Sequence, residues 1–163
     1  MDNEPSVPAD GQRYLANENE REMIDPAEMM SAIIVACPDF AATYNAFVAE
    51  WKDEPETPNY LVLADFSRHI ISLLETGDRQ QLQAAFDTIE RLHIDGDKYV
   101  REAATIGILE SLQNANLHSN TKQEQFLEFL RPMSLRYWRK VEDFWENETI
   151  ITDDRHGVRA TAK

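Results

Sequence analysis

Two acids flanking a glycine in the stretch Ile94-Asp95-Gly96-Asp97 are the first residues whose types and spacing suggest chemistry. A calcium loop of the EF-hand kind needs oxygen ligands at alternate positions over about twelve residues, a glycine at the sixth and a closing glutamate. Here Tyr99 and Arg101 fall where ligands belong, and no glycine stands at the sixth place. The stretch is therefore expected to punctuate two helices, with Gly96 left-handed past one helix end and Asp97 capping the next. Glu90 and His93 stand at i, i+3, the spacing of di-iron carboxylate bundles, but such sites need the motif twice. One copy reads as a solvated helix end. Asp65 and His69, at i, i+4, read as a local ion pair. Cys37 is the single cysteine, so no intramolecular disulfide can form. A nucleophilic thiol would need a base and oxyanion donors nearby, and none is signalled, so a buried structural thiol is expected. Asn147-Glu148-Thr149 matches a glycosylation sequon, a chance match without an export signal. No phosphate loop, nucleophile elbow or paired metal motif occurs. The expectation is a protein with no catalytic residues, no metal and no cofactor.

The elements that must position these residues follow from apolar spacing. Residues 1–24 carry Pro5, Pro8, Gly11 and many acids, with little to bury beyond Tyr14 and Leu15, and read as a flexible acidic tail. Asp25-Pro26 reads as an N-cap with proline at the first helical position, and Met29, Met30, Ile33 and Ile34 follow at helical spacing. Phe40, Tyr44, Phe47, Val48 and Trp51 define one face of a second helix. The run Lys52 to Asn59, with two prolines and three acids, breaks it. A wide stripe from Tyr60 to Leu74 ends at Gly77, and Asp78 caps a fourth helix with Leu82, Ala85, Phe86, Ile89 and Leu92 inward. Val100 to Leu112 is apolar on nearly every side and predicts a central buried helix. A sixth helix is expected around Phe126 to Leu130, ended by Pro132, and a seventh with Leu135, Trp138, Val141, Phe144 and Trp145 inward. The aromatic stripe Tyr137, Trp138, Phe144, Trp145 reads as core rather than as a ligand box. No run has supported strand alternation. The expected fold is all-α, about seven helices in antiparallel hairpins with a HEAT-like tendency. Gly-Asp before a helix recurs 19 residues apart. The helical domain is expected over residues 25–151, and residues 152–163 as a frayed tail.

Charge bounds the partners. The chain has 163 residues, 30 acids and 16 Lys plus Arg, for a formal net charge of −14. That argues against direct nucleic-acid binding, which wants a basic face, and against anionic membranes. No apolar run approaches a membrane span, and no basic stretch precedes an apolar one, so the expected location is cytoplasmic. Residues 1–30 hold eight acids against two bases, and residues 39–56 hold five against one. Residues 131–140 hold four bases and no acid. A polarised surface of this kind suits capture of a basic protein.

Residues 60–114 carry a pattern of Phe86, Ile89, Glu90, Leu92, Gly96, Asp97, Val100, Ala103 or Ala104, Gly107, Leu109, Glu110, Leu112 and Gln113. The pattern resembles that of a small uncharacterised bacterial all-helical family, similar to the immunity proteins of polymorphic toxin systems. The resemblance implies binding and neutralisation of a cognate toxin in bacterial competition. The acidic surplus of residues 39–56 supplies the surface: Glu50, Asp53, Glu54 and Glu56 are expected to meet a toxin or effector with a basic active cleft. Two alternatives stand beside it. An acidic nucleic-acid mimic or regulatory binder would set its acids in rows along one face. An enzyme without a recognisable motif would place His69, His93 or Cys37 beside carboxylates in a concave pocket.

Overall fold

The computed structural model describes residues 23–154, together with the strand pair partner Val158–Arg159. The expected acidic tail up to residue 22, and most of the expected C-terminal tail, lie outside the described residues. Six helices make up the described part. They are α1 (Pro26–Ala36), α2 (Ala41–Glu50), α3 (Asn59–Thr76), α4 (Arg79–Asp95), a continuous α5 and α6 (Pro132–Asn147). Helix α5 runs as Lys98–Glu102, then a π-helical segment Ala103–Leu109, then Glu110–Gln113. The fold is all-α. No single described helix is long and apolar enough to cross a membrane.

Local chemistry sets the boundaries. Asp25 accepts from the Glu28 N–H at 2.8 Å while the Glu28 carboxylate reaches back to the Asp25 N–H, a reciprocal capping box over Pro26. Between α1 and α2 the chain turns by 114° at Cys37-Pro38. Gly77 ends α3 at φ 75°, a left-handed position that favours glycine. Asp78 and Asp97 each accept an N–H from three residues on, that of Gln81 or Val100. The expected helix around Phe126 to Leu130 is instead a short 3-10 turn, Gln123–Phe126. Its apolar side chains still enter the core, with Phe126 and Phe129 buried. Five residues of apolar spacing were too few to offset helix nucleation, and Pro132 stands at the start of α6.

Gly96 differs from expectation. Its φ is −66°, so no left-handed turn requires a glycine there. A Cβ would instead lie 2.3 Å from the Leu92 carbonyl oxygen and 2.6 Å from Val100. Ile24 pairs with this turn like a strand: its N–H donates to the Asp95 carbonyl at 2.9 Å and its carbonyl accepts from Asp97 at 3.0 Å. The Asp-Gly-Asp stretch is thus a helix junction clamped by the incoming chain.

Helix α5 is the centre of the molecule. Val100, Ala103, Ala104, Ile108, Leu109 and Leu112 are all fully buried. The π segment packs against α3, α4 and α6. Gly107 lets Leu63 and Tyr60 of α3 come close, as the small residues of this stretch anticipate. Helix α1 covers α4, and α4 packs on α6.

Candidate partner-binding surface

The four acids singled out from the sequence lie along one short, exposed path. Glu50 ends α2, and Asp53, Glu54 and Glu56 follow in the loop to α3. Trp51 anchors this loop: its ring stacks on Phe47 with centroids 5.9 Å apart, and its carbonyl accepts from the Glu54 N–H. The carboxylates themselves are left in solvent. Among the described residues, none of the four makes a side-chain hydrogen bond or ion pair. Lys52 is the one cation in this stretch.

The basic cluster at 131–140 behaves differently. Arg131 pairs with Asp87, Arg136 and Lys140 with Asp154, and Arg139 with Glu142. All four cations therefore have counter-charges inside the molecule, whereas the acidic loop has none among the described residues.

A groove of about 450 Å³ opens beside the loop. Met30 of α1, Tyr44 of α2, Glu56 and Thr57 of the loop, Asn59 of α3 and Tyr99 of α5 line it. Tyr99 is 39% exposed, and its ring stands edge-on to Tyr60 at 6.0 Å. Burial, then Glu102 and Tyr99, push the Tyr60 hydroxyl up to about 12. Sequence reasoning named Glu56 but missed the groove. Tyr99 lies outside the apolar pattern of α5, and that was the only signal available.

The residues considered for chemistry are placed elsewhere. Cys37 is fully buried, as expected. Burial, then Asp78 and Asp39, raise its thiol to about 11, the opposite of the shift that activates a cysteine. His69 does not pair with Asp65, which instead bonds Arg68 at 3.1 Å. An aromatic alternative won: the His69 ring packs on Phe40 and Phe66, and burial lowers its pKa.

Glu90 and His93 are not a solvated helix end. Both Glu90 oxygens cap α6, accepting the N–H groups of Met133 at 2.9 Å and Ser134 at 2.7 Å. Those are donors left open at a helix start, beside a proline that has no N–H. His93 is 2% exposed and lies flat on Tyr137, centroids 4.7 Å apart. Its Nδ1 is 3.0 Å from the Ile89 carbonyl and its Nε2 is 3.0 Å from the Thr105 hydroxyl. A carbonyl can only accept, so Nδ1 carries the proton, and the Thr105 hydroxyl stands between Nε2 at 3.0 Å and the Arg101 carbonyl at 3.1 Å. Beside it, Arg101 is 2% exposed and holds Asp153 at 2.7 Å, while Tyr137 donates to the same carboxylate. Arg101 also donates to the Gly96 carbonyl. Sequence reasoning missed this network. A lone arginine inside the apolar run of α5 was its sign. Among the described residues, no group of three or more His, Cys, Asp or Glu is placed to hold a metal ion.

The fold and this surface define an all-α domain with an acidic loop, uncompensated among the described residues, beside a groove. The chain belongs to the family described as a domain of unknown function (DUF7674), which matches residues 30–146. No curated protein and no solved structure matches it.

Proposed function

We propose that this protein is an immunity protein: it binds a bacterial toxin or effector that has a basic active cleft and neutralises it, with Glu50, Asp53, Glu54 and Glu56 facing that cleft. One observation carries the reading. The loop holds exposed carboxylates without partners among the described residues, while the basic cluster at the start of α6 is spent on the molecule's own acids. Free surface charge of one sign speeds encounter with the opposite sign. In the complex, removal of a desolvated charge costs about 2–5 kcal/mol, far more than removal of a rim charge. Neutralisation is steric and electrostatic, with the domain acting as a lid. The resemblance over residues 60–114 to immunity proteins supports the same class.

The test is co-expression with the toxin-like reading frame that neighbours the gene. Wild-type protein restores growth, and the Asp53→Lys/Glu54→Lys variant loses that protection. In vitro the double variant weakens binding by about tenfold or more at low salt. Full protection by the charge-reversed variant would reject the acidic lid. Failure of the wild-type protein to protect would reject the immunity role.

A further inference from the structure

We infer that the groove between α1, α2 and the start of α5 receives an arginine side chain of the basic partner, with Tyr44 and Tyr99 against the guanidinium and Glu56 as its counter-charge. This rests on the reading that the acidic loop faces a basic protein, and it names the contact that gives that surface specificity.

Size, lining and charge argue together. At about 450 Å³ the groove lies within the range of ordinary ligand sites. Four elements contribute to its walls, so its shape is set by the packed fold rather than by the loop alone. Among the described residues its lining holds one carboxylate and no cation, and Asp53 and Glu54 lie on the same loop as Glu56. An anionic occupant would meet repulsion from all three. A purely apolar occupant would strip water from Glu56 without giving it a partner, which is costly. Lysine would satisfy the charge, but its strongly hydrated ammonium gains less from aromatic walls. A guanidinium is planar, weakly hydrated, stacks on tyrosine and still offers donors at its edge. The Thr57 hydroxyl and Asn59 amide supply acceptors at the rim, and neither side chain is engaged elsewhere among the described residues. Tyr99 is held ready by its edge-on contact with Tyr60, and Tyr60 in turn lies against Gly107 of the π segment.

The experiment titrates hexa-arginine peptide into the full chain at low ionic strength, with binding read by anisotropy of a labelled peptide and location by backbone amide NMR. Wild-type protein shows shifts centred on Tyr44, Glu56, Thr57, Asn59 and Tyr99. Hexa-lysine binds about fivefold more weakly, and Tyr44→Ala and Glu56→Gln each weaken hexa-arginine by about fivefold. Glu56 is on an exposed loop, so Glu56→Gln keeps the fold and serves if Tyr44→Ala does not. Equal affinity for the two peptides, or unchanged binding by Glu56→Gln, overturns the inference. The co-expression assay separates it from the parent reading. Groove shifts without protection would overturn the toxin partner and leave the arginine site standing. Protection that survives Tyr44→Ala together with Glu56→Gln would leave the lid and remove the groove.

Discussion

His93 shows how a single side chain can change meaning between sequence and structure. It sits three residues after Glu90, a spacing with a chemical precedent, yet each of the two supports a different neighbour: Glu90 caps α6 and His93 fills the space under Tyr137. Burial is the largest influence on His93 and lowers its pKa to about 4, with Arg101 acting in the same direction and Glu90 and Asp153 opposing it. An unfolded histidine titrates near 6.5. Between these values the unfolded chain takes up the proton more readily, so His93 contributes its full share of stability above about pH 6.5. That share falls as pH drops towards 4. The difference is on the order of 3 kcal/mol. Urea unfolding at a series of pH values should show stability rising from pH 4 to 6.5, and His93→Gln should flatten that slope. A slope unchanged in the variant would place the titration on another group. None of this was legible from residues 90–93 alone, because all the partners but the Ile89 carbonyl come from residues 101–153.

Helices are where the sequence was most readable. Apolar spacing placed α1 through α5 and α6, and the Asp caps at 25, 78 and 97 lie at the helix starts they mark. Long periodic stripes report one buried face each, although Val48 of α2 and Trp145 of α6, expected on those faces, are exposed because nothing described packs over these ends. The stretch 123–130 misled because its four apolar residues do pack inward, but from a 3-10 turn. The π form of Ala103–Leu109 left no trace in the pattern, since a stretch buried on every side has no phase to read. Gly96 was anticipated as a glycine site for the wrong reason. Crowding, not a left-handed backbone, excludes a side chain there. Gly96→Ala should therefore cost about 1–3 kcal/mol by overpacking. Gly107→Ala, whose nearest obstacle is the movable end of Leu63, should cost less. Thermal melts of the two variants decide the order, and equal losses would show that the Leu92–Val100 contact yields.

At the scale of the whole molecule, the acidic loop and the core obey opposite rules. Among the described residues the loop keeps its charges unpaired at the surface, whereas the core encloses Arg101 together with Asp153 and the Gly96 carbonyl. Removing one member of a buried pair strands the other, at about 3–5 kcal/mol. Asp153→Ala should show that loss in chemical denaturation. A cost below about 1 kcal/mol would mean that water reaches Arg101. Composition foretold the excess of acid but not its division between spent and unspent charge, which depends on pairs such as Arg131 with Asp87, far apart along the chain. The Arg101 partner also lies beyond α6, after Ile151, in the stretch where the sequence suggested fraying. During synthesis the guanidinium of the central helix must wait for residue 153 to leave the ribosome. Until then the helix at the centre of the fold carries a cation whose carboxylate has not yet arrived.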